Sequence, residues 1–143
     1  VLRAEMRHAG EDRSLTAVLY TANFALNLEN IEAYWSENGF AEGYDRLLDV
    51  LSEVVVPNLE RHPGMGRPFF ERVIGSVEAE RIVKRIASRL AGLARNAQIR
   101  EYVMDEYLVL YVHFPAKAKQ SSAVHLLAIR HQKQLGFDLL TGR

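Results

Sequence analysis

Five histidines, a cationic C-terminal end and one glycine-rich turn are the features of this chain whose chemistry bears on function first. His8, His62, His113, His125 and His131 fall at no metal-ligand spacing, and no His–Glu pair forms a metalloprotease-like motif, so neither a metal nor a cofactor is implied. Gly64-Met65-Gly66 has the composition of a phosphate loop, but it follows a helical stretch rather than a strand and runs into Pro68, which argues against nucleotide binding. There is no nucleophile-elbow pattern and no cysteine, so thiol and disulfide chemistry are excluded. What remains is charge. Residues 1–62 hold 5 Lys/Arg against 11 Asp/Glu, whereas residues 115–143 hold 5 Lys/Arg against Asp138 alone, with His125 and His131 added. On a chain of net charge zero, such an end is either an ordinary solvated tail or a local face for anions or an acidic partner.

The elements that must position these groups follow from periodicity. The chain has 143 residues, 48% of them hydrophobic and 25% charged, the mixture of one soluble globular domain. No apolar run approaches the roughly 20 residues that cross a bilayer, and no signal-type segment opens the chain, so a cytoplasmic location is expected. Residues 1–14 read as an N-terminal arm, and 15–143 as one domain. Leu15 to Thr21 is β-branched and reads as a strand; Asn23 is read as the N-cap of a helix whose stripe is Phe24, Leu28, Ile31 and Trp35 and which ends at Gly39. A second helix is expected from about Ala41 to Arg61, folding back as a hairpin, before the breaker His62-Pro63-Gly64-Met65-Gly66-Arg67-Pro68. A third helix, inserted at about 76–97, carries apolar residues spaced 4-3-4-3-4, which leaves two roles open: facing the core, or pairing two copies into a homodimer. Ile99–Met104 and Tyr107–Phe114 form a hairpin about Asp105-Glu106, and Val124–His131 is the last strand. The expected fold is α+β, a small antiparallel sheet of about four strands packed on an N-terminal helical hairpin.

The Tyr107–Phe114 strand is apolar on both sides. Tyr107, Val109, Tyr111 and His113 alternate with Leu108, Leu110, Val112 and Phe114. One side can lie under the helices; the other must be a groove, a partner site or the seat of the third helix.

The order and spacing of these motifs resemble the RelE/ParE toxin superfamily, in particular ParE-like plasmid stabilisation proteins. Phe24, Asn27-Leu28, Ile31 and Tyr34 stand where the ParE-like first helix carries a small residue, acidic-Leu, Ile and Tyr. Leu59, Pro63, Gly66 and Arg67 reproduce the close of its second helix, and Tyr107, Tyr111 and Ile129-Arg130-His131 its C-terminal strands. The likeness spans roughly residues 15–135 in two blocks. The long stretch from Phe69 to Ala97 departs from it, as do Phe24 and Asn27.

The resemblance implies the toxin of a type II toxin–antitoxin system, inhibiting growth by binding DNA gyrase and neutralised by a cognate antitoxin. The antitoxin would lie over Tyr107, Val109, Tyr111 and His113, while Arg67, Arg130 and Lys133 would meet target or phosphate. The superfamily's other branch implies ribosome-dependent cleavage of mRNA, in which the RNA's 2′-OH attacks the adjacent phosphate. That reaction needs an acid, a base and cations, for which the candidates are Arg67, Arg100, Arg130 and His131, with Tyr107 or Tyr111 stacking a base. Arg130 and His131, however, fall on opposite faces of a regular strand. A non-toxic binding module on the same fold is the third reading.

Overall fold

A computed structural model of the chain describes residues 15–69, 97–117 and 121–134. The expected N-terminal arm, the inserted helix at 76–97 and the homodimer proposed through it lie outside the described residues.

The order of elements is β1 (Ala17–Tyr20), α1 (Ala22–Glu37), α2 (Glu42–Val50), a π-helical turn (Leu51–Val55), α3 (Val56–Arg61), β2 (Arg67–Pro68), β3 (Gln98–Val103), β4 (Tyr107–Phe114) and β5 (Ala123–His131). The architecture is α+β. The sheet has five strands in the order β1-β5-β4-β3-β2, and it is mixed rather than antiparallel, because β1 runs parallel to β5 while the other pairs are antiparallel. Two features account for the difference from the expected four antiparallel strands. The N-terminal strand inserts beside the last one in sequence, and the loop after α3 adds the two-residue β2 to the outer edge of β3.

α1 begins two residues earlier than the sequence suggested. Thr21, not Asn23, is the N-cap: its hydroxyl accepts from the Phe24 N–H at 3.1 Å, satisfying a donor the helix leaves unpaired. Asn23 is instead buried inside the first turn. Gly39 closes the helix with φ +72°, a conformation costly for any residue with a Cβ. α2, the π turn and α3 together fill the expected second helix, and Pro57 explains the widened turn. Lacking an N–H and needing room beside the carbonyl four residues back, proline does not continue a regular helix; here the Val56 N–H reaches back five residues to the Leu51 carbonyl, and Pro57 starts the next segment.

These helices cover one face of the sheet. Phe24, Leu47, Leu51, Val55 and Leu59 from the helical layer pack with Val18, Tyr107, Val109, Tyr111, Val124, Leu126 and Ile129. This corrects the expected partner face: Tyr107, Val109 and Tyr111 lie beneath the chain's own helices and are core residues, with Val109 and Tyr111 fully buried. The opposite face of β4 is buried too, with Leu110 and Val112 clustering with Phe69, Ile99 and Ala128.

His113 and His125 are half-buried, and burial lowers the pKa of both, with the nearby Arg100 charge adding to the effect at His113. A histidine held neutral in the fold but free to protonate when unfolded, near 6.5, makes the unfolded chain bind more protons below that pH. Stability is therefore expected to be full above about pH 6.5 and to fall as pH drops below it. Urea midpoints measured between pH 7.5 and 5.5 should decline, and His113→Gln with His125→Gln should flatten the decline; a flat profile in the parent chain would refute this assignment.

Candidate functional site

The last residues of β5 and the turn that follows form the basic end. Arg130 pairs across the sheet with Leu108 and His131 with Tyr107, so the two side chains fall on opposite faces, as alternation demands. The Arg130 guanidinium caps the turn, its Nη1 donating to the carbonyls of His131, Gln132 and Gln134. Gln132 fastens the same turn to the β3–β4 hairpin, its side-chain amide donating to the Met104 carbonyl at 2.6 Å and its N–H to that of Glu106 at 2.9 Å.

On the helical side, His131 lies edge-on to Tyr107 with ring centroids 5.3 Å apart. The Lys133 N–H donates to His131 Nδ1 at 3.1 Å. A backbone N–H can only donate, so Nδ1 is the acceptor and the neutral ring carries its proton on Nε2. His131 can thus present a donor to a ligand, whereas acting as a base through Nε2 would cost it the Lys133 bond.

These groups rim a cleft of about 500 Å³ between α1 and the end of β5, lined by Asn27, Asn30, Trp35, Tyr107, His131 and Lys133 among others. The indole N–H of Trp35 donates to the Tyr107 hydroxyl at 3.0 Å, fixing the aromatic wall. Burial, followed by the Glu106 charge, raises the Tyr107 pKa despite the Trp35 bond, so its hydroxyl stays protonated. The floor depends on two buried asparagines one helical turn apart. β1 pairs with β5 only as far as Leu126, and Leu127 is the extra residue at a register shift, which leaves backbone groups along this edge needing partners. Asn23 donates to the Leu127 carbonyl at 3.0 Å, and Asn27 accepts from the Ile129 N–H at 3.0 Å. Asn27→Ala would strand that buried N–H and should cost about 2 kcal/mol; urea unfolding tests this, and an unchanged midpoint would contradict it.

The remaining predicted residues lie elsewhere. Arg67 Nε donates to the Glu101 carboxylate at 2.9 Å, and Glu101 is only 1% exposed. Arg100 Nη1 donates to the Gly66 carbonyl at 2.6 Å. Tyr111 completes this fastening: its hydroxyl accepts from the Gly66 N–H at 2.9 Å and donates to the Pro63 carbonyl at 2.8 Å. The Pro63–Gly66–Arg67 sequence is therefore a latch that seats the loop on β3 and β4. Arg67 on β2 is three strand spacings from β5, roughly 14 Å, and Arg100 on β3 pairs with Tyr111, whose β5 partner is Leu126, so neither joins Arg130 and His131 in one constellation. His113 lies toward the far end of β4, its Nε2 3.1 Å from the Ser122 hydroxyl, which also accepts from Thr16.

The structure thus unites Tyr107, His131 and Lys133 and separates them from Arg67, Arg100, Tyr111 and His113. Asn27, Asn30 and Trp35 are the site residues that motif reasoning missed as such; Asn23 and Asn27, polar and four apart on the side of α1 that carries Phe24 and Leu28, were the available signal. Among the described residues no cluster of histidines and carboxylates could hold a metal ion, and no helix is long and apolar enough to cross a membrane. What the fold and site define is an α+β chain with an aromatic, basic-rimmed cleft at one end of its sheet. Comparison with family models, curated proteins and solved structures finds no match for it.

Proposed function

We propose that this chain is a ParE-like toxin that arrests growth by binding DNA gyrase and is neutralised by a cognate antitoxin. The single observation that carries the binding mode, as against RNA cleavage, is the dispersal of the would-be nuclease residues. Arg67 and Arg100 are engaged in the latch, Arg130 caps a turn on one face, and His131 faces the other with Nδ1 already accepting a hydrogen bond. Cleavage by the 2′-OH route needs cations and a proton acceptor around one phosphate; inhibition by binding needs only a presented surface.

Two further features support the reading. The Pro63–Gly66–Arg67 spacing that contributes to the ParE resemblance has a definite physical job in this chain, the latch on β3 and β4. The cleft offers Lys133 and a protonated His131 Nε2 beside an aromatic wall, a surface suited to acidic groups on a partner. On this reading the antitoxin meets the basic end, with Tyr107 in its aromatic wall, and not the fully buried Val109 and Tyr111.

Inducing the chain alone in a bacterium tests the reading. Growth arrest with a DNA-damage response is expected, relieved by the antitoxin and weakened by Arg130→Ala with Lys133→Ala. Unaffected growth would leave a non-toxic binding module, and mRNA cuts at the ribosomal A site would replace the gyrase reading with the nuclease one.

A further inference from the structure

A second depression lies on the other side of the Trp35–Tyr107 wall, between α2 with its π turn and the β3–β4 hairpin, with a volume of about 690 Å³. It gathers half of the large hydrophobic side chains left exposed among the described residues: Phe40 is 40% exposed, Val50 38%, Val54 46% and Val103 50%. Val50 and Val54 are four apart, so they form one stripe along the helical wall. Apolar side chains concentrated in one trough mark a docking surface more often than scattered ones do.

Charge indicates what docks. Asp105 and Glu106 line the trough at the hairpin, against one lining cation, Arg46, whose guanidinium lies 5.4 Å from the Phe40 ring centroid. On the helical side the exposed Asp49 and Glu53 directly precede the two lining valines in sequence and add negative charge beside the trough. Acids beside an apolar floor match a segment that is apolar on one side and lined with Lys or Arg beside it.

From this arrangement we infer that the trough between α2 and the β3–β4 hairpin is a docking site for a basic amphipathic helix of another protein. The site is separate from the basic-rimmed cleft, opposite to it in charge, and independent of the toxin reading: a toxin, or a chain of another kind, would carry it alike.

The chain's single tryptophan, Trp35, lines both the trough and the neighbouring cleft, so its emission reports binding at either and the trough variants assign it. Two synthetic helical peptides with the same leucine stripe, one flanked by lysines and the other by glutamates, would be titrated against the full chain while Trp35 emission is followed. The lysine peptide should shift the emission saturably through the trough, whereas any shift with the glutamate peptide should come from the cleft and be indifferent to Val54→Asp. Val54→Asp should weaken the lysine peptide's binding by about tenfold or more, the loss of one well-placed apolar anchor. Because Val54 is exposed, that variant should keep the parent's circular dichroism. Asp105→Lys with Glu106→Lys should weaken the lysine peptide and let the glutamate peptide bind. Loss of the glutamate peptide's binding on Val54→Asp, no emission change with the lysine peptide, or indifference of the lysine peptide to both variants would overturn the inference. So would a self-associating chain whose dimer dissociates on Val54→Asp, since the occupant would then be a second copy.

Discussion

Phe24→Ala is expected to remove about 4 kcal/mol of stability, near the upper end for truncating a buried aromatic residue. Phe24 is completely buried beneath the helical layer, in contact with the cluster that joins Val18, Leu51 and Leu126. Its position is fixed independently of its side chain, because its N–H is held by the Thr21 hydroxyl, which itself donates to the Leu126 carbonyl at 3.1 Å. The helix start therefore cannot slide inward to refill the space, and the cavity persists. Urea unfolding with a loss below 1 kcal/mol would show that the ring is not a packing element.

Gly66→Ala is expected to cost about 3 kcal/mol, through overpacking together with loss of the latch. A Cβ at this position would stand 2.7 Å from the Tyr111 hydroxyl and 2.8 Å from the Glu101 carbonyl oxygen. Neither can yield cheaply: Glu101 contributes backbone inside β3, and the Tyr111 hydroxyl is held between Gly66 and Pro63. Burial raises the Tyr111 pKa, so the phenol remains the donor this geometry requires. Combining Gly66→Ala with Tyr111→Phe should destabilise by less than the sum of the two single changes, because removing the oxygen relieves part of the clash. Strict additivity in that cycle would separate the glycine from the tyrosine and dissolve the latch.

Much of the framework was legible before any coordinates. The 3.6-residue stripes of α1 and of the longer second helix, the breaker at residues 62–68, and the Asp105-Glu106 turn between two β-rich runs all rest on local periodicity, which is where sequence speaks most plainly. Pro57 went unread in the expected single helix, although a proline inside a helix removes a donor; the π turn accommodates it. The parallel pairing of β1 with β5 was not legible: it joins residues about a hundred positions apart, and nothing local in Ala17–Tyr20 specifies a neighbour.

The site divides in the same way. Alternation alone placed Arg130 and His131 on opposite faces, and the structure keeps them there. It could not choose which side of β4 faces the helices, because Tyr107, Val109 and Tyr111 are as apolar as Leu108, Leu110 and Val112; the tyrosines went inward, where Trp35 and Gly66 satisfy their hydroxyls. The pairing of Arg67 with Glu101 was not legible, because Glu101 lies on a strand that sequence spacing does not connect to it.

The central functional claim is inhibition by stoichiometric binding, and purified components test it most directly. Incubating the chain with DNA gyrase, ATP and relaxed plasmid should yield linear DNA after protein denaturation, in amounts that rise with the molar ratio of chain to gyrase and level off near saturation. Supercoiling that proceeds without trapped linear DNA at any ratio, alongside mRNA cut on ribosomes by catalytic amounts of the chain, would contradict it.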